Sequence, residues 1–238
     1  MELLTVVAPV FGTNCYVIVA DDSTCVIVDA GAGVAPGVRR LVAERGLTPV
    51  AVLATHGHAD HTWDGGELTS AFDVPFVLHT ADAYRLADPF GTLGPLGATH
   101  DENGPLARAL VGIGAAPATY RAPGRVEPFG SEPGADGRTA DVELQLGGVR
   151  LVARHAPGHT EGSTLYLLDS EPAVALTGDV LFAGSIGRSD LPGGDAAVMS
   201  VTLRDVVRHL DPQTLVLPGH GPSSRLGDEL RANPYLRG

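Results

Sequence analysis

The chain contains no lysine. All 16 of its basic residues are arginine, which excludes Schiff-base chemistry and any lysine anchor for an anionic substrate. Cysteine is scarce as well: Cys15 and Cys25 are the only two. They fall on neighbouring predicted strands, where they could face each other, and the expectation is a pair of buried, reduced thiols. Aromatic residues make up 5% of the chain, so Ala, Val and Leu must fill the core. Positive charge is outweighed, giving a net charge of −12 with no basic stripe to offset it, which argues against a nucleic-acid surface. No apolar run approaches the roughly 18 residues of a membrane span. The opening Met1-Glu2-Leu3-Leu4-Thr5 has neither a basic region nor a cleavage-site pattern, so a cytoplasmic location is expected.

What is present is enough apolar material for a sizeable core: 44% hydrophobic against 18% charged over 238 residues. That length allows one large domain or two small ones. Leu3–Val7, Cys15–Val19 and Cys25–Val28 read as strands, the last two joined at Asp21-Asp22-Ser23. A helix follows from Val34 to Arg45 with Gly46 as its stop. Trp63–Phe72 reads as helical and Pro75–His79 as a strand, with His79 and Asp82 at its end in structural rather than ligating roles. From Ala83 to Gly137 periodicity is weak outside Leu106–Ile113, and His100 lies there in a solvated patch with Thr99, Asp101 and Glu102. So long an excursion tends to be functional. Beyond it, Val142–Leu146 and Val149–Ala153 form a hairpin around Gly147-Gly148, and Ser163–Leu168, Ala173–Leu176 and Leu215–Leu217 are further strands. Asp195 caps a helix running to about His209, and a last helix covers Leu226–Ala232.

The most informative stretch is Thr55-His56-Gly57-His58-Ala59-Asp60-His61, directly after the apolar run Val50–Ala54. Four ligand-type side chains lie within six residues at a strand end. Imidazole and carboxylate at this density suit Zn, Fe or Mn rather than Ca. Alternating side chains can serve two centres, one drawing on His56 and His58 and the other on Asp60 and His61. Three further candidates, His159, Asp179 and His220, each follow a predicted strand in a glycine-rich turn, where the backbone can bend sharply enough to aim a side chain.

This set, Thr55–His61 with His159, Asp179 and His220, resembles the metallo-β-lactamase superfamily, and the run Phe182–Asp195 with Gly219–Pro222 and Asn233–Leu236 resembles its single-domain glyoxalase II-like branch. The resemblance implies an α/β fold, a four-layer αββα sandwich, as a single domain over residues 1–238. It implies two divalent metal ions, zinc first with iron or manganese as alternatives. His56, His58 and His159 would hold one, Asp60, His61 and His220 the other, and Asp179 would bridge them. Asp rather than Cys at 179 matches the hydrolase branches, and His rather than Glu at 58 departs from the flavodiiron branch. Full-length glyoxalase II carries a helical C-terminal domain that binds glutathione; no counterpart is expected here, which weighs against glutathione specificity.

The implied chemistry is hydrolysis of an acyl-thioester such as S-lactoylglutathione or an analogous small thiol ester. Two ions about 3.5–4 Å apart hold a hydroxide and bring the pKa of water to about 7. Asp60 is the expected catalytic residue, orienting the nucleophile while binding metal. Asp29, which also ends a strand, is the candidate for orienting a ligating histidine. Arg188 is the candidate substrate contact, against a reading in which it pairs with Asp190 or Asp195 and braces its loop. The alternative activity is a mononuclear iron persulfide dioxygenase using the residues that match His56, His159 and Asp179. Its Gly-Arg-Thr-Asp-Phe-Gln run is replaced here by Gly187-Arg188-Ser189-Asp190-Leu191-Pro192, which disfavours it. A non-catalytic binding protein leaves the full ligand set unexplained. No nucleic acid or membrane partner is expected, only a small-molecule substrate.

Overall fold

The computed structural model describes residues 1–89, 105–114, 119–131 and 139–237. The patch around His100 lies outside them. Among the described residues, twelve strands form two six-stranded sheets. The first runs in sequence order: β1 (Glu2–Val7), β2 (Asn14–Val19), β3 (Thr24–Val28), β4 (Thr48–Leu53), β5 (Phe76–His79) and β6 (Val126–Phe129). β1 to β3 are an antiparallel meander, and β3 to β6 pair in parallel. The second sheet holds β7 (Val142–Leu146), β8 (Val149–His155), β9 (Thr164–Leu168), β10 (Val174–Gly178), β11 (Leu215–Pro218) and β12 (Ser224–Arg225).

The period-two alternation of the strands builds the layers. In β2 and β3, Tyr16, Ile18, Val26 and Val28 face the second sheet, where they meet Leu151, Tyr166 and Leu176. The intervening Val17, Cys25 and Ile27 face outward onto α1 (Ala35–Arg45) and α3 (Gly65–Phe72), packing with Val38, Val42 and Leu68. On the far side of the second sheet, Leu165 and Val216 pack against Met199 and Leu203 of α5 (Ala196–Asp205) and Leu226 of α6 (Leu226–Ala232). Helices therefore cover both outer faces of an α/β sandwich. Valine, leucine and alanine do fill this core, and among the described residues Tyr16, Trp63, Phe76 and Tyr166 are its aromatic members.

Helix boundaries follow local chemistry. Gly46 ends α1 in the left-handed region, its N–H bonding back to Val42 and Ala43. Asp195 caps α5 by accepting from the amides of Ala197 and Val198 at 2.7 and 3.0 Å. α5 is shorter than the expected helix to His209, because the chain tightens at Val206 into a 3₁₀ turn over Val207–His209. The helix expected over Trp63–Phe72 is α3, which begins at Gly65, and a separate single turn, α2 (Ala59–Thr62), precedes it. One expectation is corrected. Cys15 and Cys25 are free and buried, but the β2–β3 register sets Cys25 opposite Val19, several positions from Cys15, so they do not face each other. Around and after Ala83 the described residues hold a 3₁₀ turn (Thr80–Leu86), α4 (Pro105–Gly112) at the periodic Leu106–Ile113 run, and the edge strand β6. Tyr120 lies tilted against Trp63 with ring centres 5.1 Å apart, beside Leu110. Among the described residues no helix is long and apolar enough to cross a membrane.

Candidate metal centre

Four strand ends converge at one edge of the sandwich. The loop after β4 carries His56, His58, Asp60 and His61. The loops after β8, β10 and β11 carry His159, Asp179 and His220. All seven expected donors come together. His56, His58 and His159 form one potential metal triad, Asp60, His61 and His220 a second, and His56, His61 and Asp179 a third that overlaps both. Within each, the donor atoms lie within 4.8 Å of one another.

The ring nitrogens face each other closely. His159 Nε2 is 2.9 Å from His58 Nδ1 and 3.2 Å from His56 Nε2. His61 Nε2 is 3.2 Å from His220 Nε2. Asp179 reaches across, with Oδ1 3.3 Å from His61 Nε2 and Oδ2 3.6 Å from both His159 Nε2 and His220 Nε2. Asp60 Oδ2 lies 3.3 Å from His220 Nε2.

The opposite edge of four imidazoles is tied down. His159 Nδ1 donates to the Arg188 carbonyl at 2.6 Å, and His220 Nδ1 to the Phe11 carbonyl at 3.1 Å. A carbonyl only accepts, so the proton sits on Nδ1 and the Nε2 lone pair points inward. His61 Nδ1 is 3.0 Å from Asp29 Oδ2. The Thr55 hydroxyl donates to the Asp29 carboxylate and accepts from His56 Nδ1 at 3.1 Å. Lone pairs held face to face at such distances repel unless a proton or a cation lies between them. The donor set therefore fits a metal, and Asp29 stands where the sequence placed it.

Electrostatics agree. Burial opposes charge on His61, yet Asp179, Asp29 and Asp60 hold it well above its ordinary value. His220 is raised in the same way, against burial, by Asp60 and Asp179. Asp60 and Asp179 are held below the usual carboxylate range, against burial, by the surrounding imidazoles, His61 first. Burial and neighbouring rings push His56 and His58 well below theirs. A divalent cation would take over the role of those protons. The centre is open on one side: His220, Asp60 and Asp179 are 25, 18 and 12% exposed, while His56, His58, His61 and His159 are sealed.

The Arg188 guanidinium is exposed and grips Asp190 through two contacts at 2.6 and 2.8 Å. Of the two expected brace partners Asp190 is the one engaged, since Asp195 is committed to α5. Two contributors had no assigned role in the sequence, the Thr55 hydroxyl and the Phe11 carbonyl; Asp82, expected in a structural role, accepts the Gly57 amide at 2.7 Å. The signal for Phe11 was the glycine beside it: Phe11 and Gly12 both have positive φ, 56° and 69°, a bend that turns the carbonyl inward.

Comparison with known proteins gives the same picture. A family model described as the metallo-beta-lactamase superfamily matches residues 8–220. An uncharacterised protein of Mycobacterium tuberculosis is 37% identical over 97% of this chain and 96% of its own. The probable metallo-hydrolase YqgX of Bacillus subtilis is 33% identical over 94% of this chain and 92% of its own. The hydroxyacylglutathione hydrolase GloC of Haemophilus influenzae is 29% identical over 99% and 97%. Among solved structures, the B3 metallo-beta-lactamase BLEG-1 superposes with a TM-score of 0.78 at 29% identity over the whole of both chains. TTHA1623 in a di-iron-bound form superposes with 0.74 at 30% identity, over 98% of this chain and all of that one.

Proposed function

Because the chain belongs to the metallo-beta-lactamase superfamily, whose His/Asp cluster implies use of a divalent metal, we propose that it is a two-metal hydrolase of acyl-thioesters. The observation that carries this reading is the pair of triads, His56/His58/His159 and Asp60/His61/His220, with Asp179 within reach of both. The printed function of GloC supports the thioester class, and the printed di-iron state of TTHA1623 supports two ions.

Bound divalent ions would supply Lewis acidity and a water acidic enough to ionise near neutral pH. The remaining work falls to side chains. His159 and His220 are locked by carbonyls in the tautomer that offers Nε2 inward, so neither ring spends free energy reorienting. Asp60 is partly open to solvent and kept ionised by His61 and His220. It can take up the proton that the attacking water sheds, and orient that water beside the open face. A thiolate is a good leaving group, so the site needs no dedicated acid.

Metal analysis and a hydrolysis assay on one preparation test the proposal. About two divalent ions per chain and turnover of S-lactoylglutathione or a simpler acyl-thioester are expected, with a β-lactam as the competing substrate. A single tightly bound iron with oxygen-dependent persulfide oxidation would overturn it in favour of the oxygenase. Preference for the β-lactam would overturn the substrate class alone.

A further inference from the structure

Asp82 and Arg85 are outside the donor set, yet both side chains are fully buried. Asp82 sits in the 3₁₀ turn after β5. Its Oδ2 accepts from the Gly57 amide and from the Thr160 hydroxyl, each at 2.7 Å. Its Oδ1 accepts from the Gly162 amide at 2.8 Å and from Arg85 Nε at 3.3 Å. Gly57 lies between His56 and His58, and Thr160 follows His159. One carboxylate therefore joins two ligand loops that are far apart in sequence.

Arg85 extends the junction to a third loop. Its Nη2 donates to the Glu161 carboxylate and, at 2.9 Å, to the Pro192 carbonyl. Pro192 belongs to the same loop as Arg188, whose carbonyl receives His159 Nδ1. The packing leaves no slack. A Cβ on Gly57 would sit 2.7 Å from Arg85 Cδ, and one on Gly162 would sit 2.6 Å from Asp82 Cγ. Glycine between the two histidines is thus required by the close approach of this pair. Beyond the bond between them, Asp82 and Arg85 bond to Gly57, Thr160, Glu161, Gly162 and Pro192, in the loops beside His56, His58 and His159, the first of which also carries Asp60 and His61. None of these bonds lands on Asp60, His61 or His220.

We propose that Asp82 and Arg85 are positioning residues for one triad only. They set the spacing of His56, His58 and His159, and make no hydrogen bond to Asp60, His61 or His220. The inference rests on the two-metal reading, and its test separates the two.

The full-length protein, stripped and then titrated with Zn²⁺ against a chromophoric chelator, should bind in two steps. In Asp82→Asn one step should weaken by about 10- to 100-fold, the range typical of residues that orient ligands, while the other stays within about twofold. In the metal-free state the imidazole ¹⁵N resonances of His58 and His159 should shift in Asp82→Asn, and those of His61 and His220 should stay. Glu229→Gln removes another buried carboxylate, one that holds the Gly184 amide at 2.8 Å; it should lower thermal stability without this selectivity. Equal weakening of both steps, or uniform ring shifts, would overturn the proposal. Selective ring shifts in a protein that takes up fewer than two ions would leave the positioning role standing and remove the two-metal reading. If Asp82→Asn does not fold, Thr160→Val removes a single donor to Asp82. It must reproduce the selective pattern in weaker form, and its failure to do so would equally overturn the proposal.

Discussion

Asp179 and Arg188 are neighbours along the chain with opposite standing in the centre. Asp179 stands between the triads, so Asp179→Ala should weaken every bound ion and lower turnover by at least about 100-fold, beyond the usual cost of losing an orienting residue. Normal metal content and turnover in that variant would rule out a bridging role. Arg188 meets Asp190 in solvent, where an ion pair contributes little, and its backbone carbonyl rather than its side chain fixes His159. Arg188→Ala should therefore leave the melting temperature nearly unchanged. A rise in KM for charged thioesters alone would assign the guanidinium to substrate capture, and equal effects on charged and neutral thioesters would exclude that role. The seven donors were legible in the sequence because each residue type carries its chemistry with it. Their orienting partners were not, apart from Asp29. The Phe11 and Arg188 carbonyls belong to no residue type, and Asp82 acts through amides remote from it in sequence.

At the scale of elements, capping and alternation account for most of what could be read in advance. Asp195 was legible as a cap because an acidic side chain preceded a helical run, and it does accept two free amides of α5. Asp195→Ala should cost about 1 kcal/mol. For a chain of this size that is a fall of roughly 2–4 °C in melting temperature, readable by calorimetry. Edge strand β6 escaped notice because its four residues, Val126-Glu127-Pro128-Phe129, include a proline and are only half apolar. Its partner β5 supplies the order that its own composition lacks. The cysteine misreading has a similar origin. Strand assignment says which residues are extended, while register depends on the Asp21–Ser23 turn and the cores on either side.

The whole molecule has a pH optimum of stability written into its buried histidines once metal is removed. His79 stacks on His155 with ring centres 4.3 Å apart, and its Nδ1 accepts from the Ala81 amide. Burial, then His155, lowers it from 6.5 to about 4, and His56 and His58 are lowered too. Below pH 6.5 the unfolded chain binds protons that these folded rings refuse, so stability falls as pH drops from 6.5 toward 4. His61 and His220 are raised; their contribution is complete below pH 6.5 and is lost as pH climbs above it. Urea midpoints of the stripped protein should peak near pH 6.5, with a gentler acid limb in His79→Asn, and a midpoint that does not vary between pH 4 and 8 would contradict this. The layout of the triads carries a last consequence. Each takes two donors from the loop after β4 in the first sheet and one from a loop of the second. Neither half of the chain owns a complete set. An ion in either triad is thus a rivet between the sheets, available only after they have met. At a hundred times its dissociation constant it would add about 2.7 kcal/mol to the folded state, all of it resisting their separation.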